Sequence, residues 1–176
     1  MPEGDAARTR RFEAVALPHL AAAYNLARWI CRQEADAADV VQEAVMRALQ
    51  YFDSYRGGDA RAWLLQIVRN AAHSWLERNR PASLTLVPDS ELEQLPAADD
   101  PVATVAAQTA ATQLRQAIGQ LSLEQREVLI LREFEHLSYR QIASILDTPI
   151  GTVMSRLSRA RDQLSRMLRP TTEAAT

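Results

Sequence analysis

The chain has 176 residues, a formal net charge of −2 and 47% hydrophobic residues, enough for one domain or two small ones with packed cores. One cysteine, Cys31, excludes an internal disulfide, and no Cys/His pair has zinc-ligand spacing. No apolar run nears the roughly 20 residues of a membrane span, the start with Glu3 and Asp5 does not read as a signal peptide, and a reducing, bacterial-type cytoplasm is the simplest setting.

Five glycines and few β-branched runs predict an all-α chain. The first helical pattern covers Arg11 to Cys31, with Phe12, Val15, Ala16, Leu20, Ala23, Tyr24, Ala27 and Ile30 at spacings of three and four. Pro18 interrupts it, as a kink or a division. Cys31 follows Trp29 and Ile30 and reads as a small buried hydrophobe. A second helix runs from Ala37 to Tyr51 with Val40, Val41, Ala44, Val45, Ala48 and Leu49 inward. Its other side carries Asp39, Gln42, Glu43 and Met46; by spacing alone the acids are an ordinary solvated face near a helix N-terminus.

Residues 52–60, FDSYRGGDA, break the pattern. Gly57-Gly58 cannot be a stable helix centre, and Asp53, Ser54 and Asp59 are turn formers. Phe52 and Tyr55 either form a platform for unstacked bases or pin the loop to the core. A third helix spans Arg61 to Arg80, with Trp63, Leu64, Ile67, Val68, Ala71, Ala72, Trp75 and Leu76 on the core side. Arg69, Asn70, His73, Ser74, Arg78 and Arg80 remain for a basic polar face suited to nucleic acid.

Residues 81–101 hold four prolines, five acids and no arginine, and read as an extended or mobile linker. Fully stretched, it could reach about 70 Å. Every basic residue of the chain is Arg, so each cationic group is a rigid fork suited to phosphate or guanine. The expected organisation is therefore two small helical domains, 1–80 and 102–176, joined by a flexible acidic Pro-rich linker.

Helical pattern resumes near Val102. Ser122 and Gln125 have capping-box spacing and open a helix with Leu123, Val128, Leu129, Leu131 and Phe134 as its core. His136 lies in the connection that follows. Ser138 and Gln141 repeat the capping-box spacing before Ile142, Ala143, Ile145 and Leu146. Thr148 is the expected N-cap and Pro149 the first residue of the next helix. A short helix, a tight turn and an Arg-rich helix predict a helix-turn-helix that reads DNA. Val153, Leu157, Ala160 and Leu164 face its core, while Met154, Ser155, Ser158 and Arg159 share another face as major-groove candidates. Arg156, Arg161 and Arg166 are phosphate contacts or salt bridges.

In this order, DVVQEAVMRAL (39–49), YRGGDARAWLLQIVRNAAHSWLERNR (55–80), LSLEQREVLILREFEHLSYRQIASIL (121–146) and GTVMSRLSRARDQL (151–164) resemble the extracytoplasmic-function (ECF) sigma factors of bacterial RNA polymerase. The resemblance spans about Phe12 to Leu168. It implies a transcription initiation factor in which 1–80 binds the polymerase clamp and the promoter −10 element, and 102–176 binds the −35 element. Asp39, Gln42, Glu43 and Arg47 then contact core RNA polymerase. Tyr55, Arg56, Asn70, His73 and Ser74 capture a flipped-out base, and Arg69, Arg78 and Arg80 hold phosphates. Trp63 is core by its spacing and a base contact by the resemblance. Met154, Ser155, Arg156, Ser158, Arg159 and Arg161 meet the −35 duplex. The family often has Lys or Arg where Met154 stands; here a thymine methyl contact or a weaker −35 interaction is expected. The resemblance also implies an anti-sigma factor, soluble or membrane-anchored, control by stress, a cytoplasmic location and no membrane insertion of the chain itself.

Other readings make distinct demands. A helix-turn-helix regulator with a sensing domain needs a ligand pocket or a phosphoacceptor Asp on a strand, and residues 1–80 show no strand pattern. A decoy that sequesters an anti-sigma factor should have lost its basic faces. An enzyme needs a nucleophile–base pair, a phosphate loop or a metal cluster, and none is legible. No catalytic residue, cofactor or metal is expected.

Overall fold

The computed structural model describes residues 2–79 and 105–169. The linker 81–101 and Arg80 lie outside the described residues. Eight α-helices and no strand make up what is described. The N-terminal unit contains α1 (Pro2–Ala16), α2 (Leu20–Cys31), α3 (Glu34–Gln50) and α4 (Ala60–Asn79). The C-terminal unit contains α5 (Val105–Gly119), α6 (Leu123–Leu129), α7 (Tyr139–Leu146) and α8 (Ile150–Leu168).

Pro18 divides the first predicted helix. It sits in a single 3-10 turn, Leu17–His19, between α1 and α2, because proline has no N–H for the ladder and its ring crowds the carbonyl four residues back. The core of the N-terminal unit is the α2–α3–α4 packing. Leu26, Ile30, Val40, Leu64, Leu65 and Val68 are buried there, with Ala23, Ala27, Ala37, Ala44, Ala48, Ala71 and Ala72 at the crossings. Alanine at a crossing lets helices approach toward the short end of their usual 8–10 Å separation. Cys31 is buried, as its neighbours suggest. Helix α2 stops at Arg32, which takes φ 71° and bonds its N–H to the Arg28 carbonyl. That is the left-handed C-terminal position usually given to glycine.

Both capping boxes form. Ser122 accepts from the Gln125 N–H while the Gln125 side chain accepts from the Ser122 N–H, and Ser138 and Gln141 do the same at α7. After α6 the chain widens into a π turn, Ile130–Phe134, so the Glu135 N–H reaches back to the Ile130 carbonyl. Val128, Leu129, Ile130, Leu131, Leu137, Ile142, Ile145 and Leu146 form the buried centre. Phe134 departs from its expected core position. It is 43% exposed, and its ring packs instead on Trp29 of the N-terminal unit, centroids 5.9 Å apart.

The turn between α7 and α8 is one residue out of its expected register. Asp147 takes φ 47°, its N–H bonds to the Ser144 carbonyl, and the Thr148 N–H bonds to the Ala143 carbonyl, the paired pattern of a Schellman motif. The Thr148 amide is thus spent on closing α7. Pro149 becomes the residue flanking α8, and no side chain caps that helix.

In this structure α2 and α4 pack directly against α6 and α7.

Candidate functional site

On α3, Asp39 and Gln42 point outward. Glu43 and Arg47 are half-buried and bonded to each other one helical turn apart, and Glu43 also accepts from Arg78 Nη2 at 3.3 Å. Sequence periodicity set Met46 beside these residues without giving it a role. It is 62% exposed and lies four residues from Gln42 and seven from Asp39, which puts all three on one face. An exposed methionine among polar groups is a candidate apolar anchor for a partner.

The second region is the loop before α4. Phe52 is buried, meets Phe12 edge-on at 5.4 Å and lies parallel to Tyr55 at 6.0 Å. Tyr55 also meets Trp63 at 4.8 Å, and its Oη donates to the Gly58 carbonyl at 3.0 Å. Phe52 and Tyr55 therefore pin the loop, while Tyr55 and Trp63 keep part of their surface open. Gly57 and Gly58 take φ 88° and 98°, a region that side-chain-bearing residues rarely adopt. Arg56, just before them, is exposed.

Arg8, which sequence reasoning left without a role, and Asp59, expected only as a turn former, build this loop. Arg8 of α1 clamps its front edge: Nε donates to both Asp53 carboxylate oxygens at 3.0 and 3.1 Å, and Nη2 donates to the Leu49 carbonyl at 2.6 Å. A guanidinium fits there because it neutralises the carbonyl end of α3. Asp59 closes the rear edge. Its Oδ1 accepts from the Ala62 N–H at 3.0 Å, its carbonyl accepts from Trp63, and its Oδ2 accepts from Gln141 Nε2 at 2.6 Å. The Ala62 amide, aided by Gln141, holds its carboxyl below the usual range despite partial burial.

Beyond the loop, α4 splits the predicted basic face in two. Asn70 and Arg78 are exposed, and Ser74 is half-buried between them; the Ser74 carbonyl accepts from Arg78 Nε at 3.2 Å. Arg69 and His73 lie one position round the helix and turn toward the C-terminal unit. Arg69 donates to both oxygens of Glu127, Nε to Oε1 at 3.0 Å and Nη2 to Oε2 at 3.4 Å, and His73 Nε2 is 2.6 Å from Oε1. Arg80 lies outside the described residues.

The third region is α8. Val153, Leu157 and Ala160 are buried and Leu164 partly so, while Met154, Ser155, Ser158 and Arg159 are all outward. Arg159 folds along its own helix onto the Ser155 carbonyl and hydroxyl at 3.3 Å, a weak local tether that a better acceptor can replace. Arg156 pairs with Glu124 at 2.9 Å and Arg161 with Glu133, so both flank the outward face as salt-bridged residues. The Glu133 carboxylate raises the already high Arg161 pKa further, and Arg161 stays charged.

Comparisons with known proteins bear on these regions. The family model described as Sigma-70 region 2 matches residues 16–81, and that described as Sigma-70, region 4 matches residues 111–164. The chain is 35% identical over 143 residues to the RNA polymerase sigma-H factor of Pseudomonas aeruginosa, covering 77% of this chain and 74% of that protein. It is equally identical over 143 residues to the ECF RNA polymerase sigma-E factor of Escherichia coli strain K12, covering 77% and 75%. Among solved structures it is similar to the sigma factor RpoE in complex with the anti-sigma factor NepR from Bartonella quintana, with TM-score 0.72, 27% identity and coverage of 92% of this chain and 99% of that one. It is also similar to CnrH in complex with the cytosolic domain of CnrY, with TM-score 0.62, 27% identity and coverage of 91% and 88%.

Proposed function

The chain belongs to the ECF sigma factors of the sigma-70 family, and with that as premise we propose how its surfaces divide the work of directing core RNA polymerase to particular promoters. The α3 face of Asp39, Gln42, Glu43 and Arg47, with Met46 at its centre, docks on core polymerase. The Gly-Gly loop and α4 engage the melted −10 strand through Tyr55, Arg56, Asn70, His73 and Ser74, with Arg69, Arg78 and Arg80 on phosphates. Helix α8 enters the −35 major groove with Met154, Ser155, Ser158 and Arg159, while Arg156 and Arg161 exchange their carboxylate partners for phosphates or keep them as braces. Residues 81–101 join the two halves, 1–80 and 102–176.

The work is binding and not catalysis. Opening a duplex costs stacking and pairing energy, and holding an unstacked base in a protein pocket offsets it. Tyr55 and Trp63 supply π faces beside Asn70, whose amide can both donate and accept. The chain acts in the cytoplasm, where polymerase and promoter are. Among the described residues no helix is long and apolar enough to cross a membrane. An anti-sigma factor holds it inactive, as the complexes of RpoE with NepR and of CnrH with CnrY suggest.

The observation that carries the reading is α8, where Val153, Leu157 and Ala160 are buried, Leu164 partly so, and Met154, Ser155, Ser158 and Arg159 are exposed on another face. A helix-turn-helix regulator outside the sigma class shares that element, but neither the Gly-Gly loop nor the α3 face has work in it. The test is run-off transcription with core polymerase and this chain over a library of genomic fragments. Promoter-specific transcripts that need the chain are expected; their absence overturns the assignment.

A further inference from the structure

Two carboxylates of the C-terminal unit reach across to the N-terminal unit. Glu127 has no exposed side-chain surface and meets Arg69 and His73. Glu135 is buried and accepts from Asn25 Nδ2 at 2.6 Å and from Arg61. These two acids are eight residues apart. In an uninterrupted α-helix that separation leaves them about 80° out of line. The π turn between them, with its wider i→i+5 bonding, winds less per residue and brings Glu135 back toward the face of Glu127.

The partners of Glu127 matter because Arg69 and His73 belong to the surface assigned above to the −10 strand. An arginine fork that holds a carboxylate with two N–H groups offers the same donors that a phosphate would take. The same two N–H groups cannot serve both at once. Asn70 and Ser74, one position round α4, make no such contact among the described residues. The closed chain thus leaves Asn70 outward and holds Arg69 and His73 on Glu127, while Arg56 and Arg78 stay exposed.

We propose that Glu127 is a built-in phosphate mimic: its carboxylate holds Arg69 and His73 in the closed chain, and single-stranded DNA competes with it for them. Glu135, on Arg61 and Asn25, is the second point of the same clasp and keeps Glu127 in register. The proposal rests on the −10 assignment of α4 and gives that surface its regulation. Binding of the strand and separation of the two units become one event.

The probe is fluorescein-labelled (dT)12, which offers phosphates without a promoter sequence, titrated by anisotropy against the full chain over a range of NaCl concentrations. Glu127→Gln keeps the side-chain volume and removes the charge. It should bind (dT)12 at least about 5-fold more tightly than the wild-type chain, with the log–log salt slope steeper by about 0.7 for each further phosphate neutralised. Glu13→Gln removes the same charge on exposed α1, outside the clasp, and should change the affinity by less than about 2-fold. The wild-type chain gives a readout that needs no substitution: saturating (dT)12 should raise its radius of gyration in X-ray scattering. Equal binding by wild type and Glu127→Gln, no binding by either, or binding with an unchanged radius of gyration each overturn the proposal. Competition that fails while promoter-specific transcription persists removes the mimic alone. Competition that holds without such transcripts removes the sigma assignment alone.

Discussion

Replacing Asp59 by alanine removes an N-cap and an inter-unit bond in one step. The Ala62 amide loses its acceptor at the start of α4, which costs about 1 kcal/mol for a cap of this kind. The bond to Gln141 is at the edge of the interface and adds about 0.5 kcal/mol. The sum, about 1.5 kcal/mol, shifts Tm by about 3–6 °C if the two packed units unfold together, and by about 6–12 °C if the N-terminal unit unfolds alone. The size of the shift therefore reports cooperativity as well as the cap. Asp59→Asn keeps a capping oxygen and should cost less than about 0.5 kcal/mol near neutral pH. Its pH dependence has a definite sign. The folded chain holds the Asp59 carboxyl below its ordinary value, so its charge stabilises the fold above the unfolded value of about 3.9. That contribution is lost as pH falls through the lowered folded value. Urea melts followed by circular dichroism should show a wild-type advantage over Asp59→Asn that is flat from about pH 5 to 8 and narrows below about pH 4. An Asp59→Ala shift under about 1 °C, or an advantage over Asp59→Asn that persists unchanged to about pH 2.5, would refute the reasoning.

Three substitutions separate the proposed surfaces. Asn70→Ala should reduce permanganate reactivity of unpaired promoter thymines while leaving closed-complex affinity within about 2-fold, since in the proposed assignment the amide meets an unstacked base; equal losses in both would contradict this. Arg159→Ala should weaken −35 binding by about 1–3 kcal/mol if the guanidinium reads a guanine, and competition between −35 variants should show the loss confined to one or two base pairs. Met46→Asp should lower affinity for core polymerase by more than about 1 kcal/mol in a fluorescence titration, with transcription restored at high chain concentration; unchanged affinity would remove Met46 from the docking face.

Much of this architecture was legible in the sequence. Spacings of three and four found much of the buried stripe of α2, α3 and α4, including Ala23, Ala27, Ile30, Val40, Ala44, Ala48, Leu64 and Val68, but passed over Leu26 and Leu65, and two Ser-x-x-Gln signals located the starts of α6 and α7. The outward face of α8 followed from the spacing of Val153, Leu157, Ala160 and Leu164. The clasp was not legible. Periodicity says which side of a helix is apolar, but Glu127 and Glu135 are charged residues buried by partners 54 to 110 positions away. Nothing local distinguishes them from solvated acids. Phe134 fails for a related reason: it is apolar on a helical spacing, yet the π turn swings it out of its own core and onto Trp29. Thr148 misled because a Thr-Pro pair suits a helix start, while its amide was needed to end the helix before.

Arg32 shows that comfort of the local backbone and closure of the whole chain are separable traits. A non-glycine residue at φ 71° carries about 1–2 kcal/mol of steric cost, and glycine would remove it. The arginine nonetheless delivers Nη2 to the Gly119 carbonyl, at the last residue of α5, at 2.8 Å. Arg32→Gly should therefore move two observables in opposite directions: the N-terminal helices melt at a higher temperature, while limited proteolysis cuts between the two halves sooner. A sequence drifting toward ideal local geometry at this position would gain a sturdier part and lose a latch.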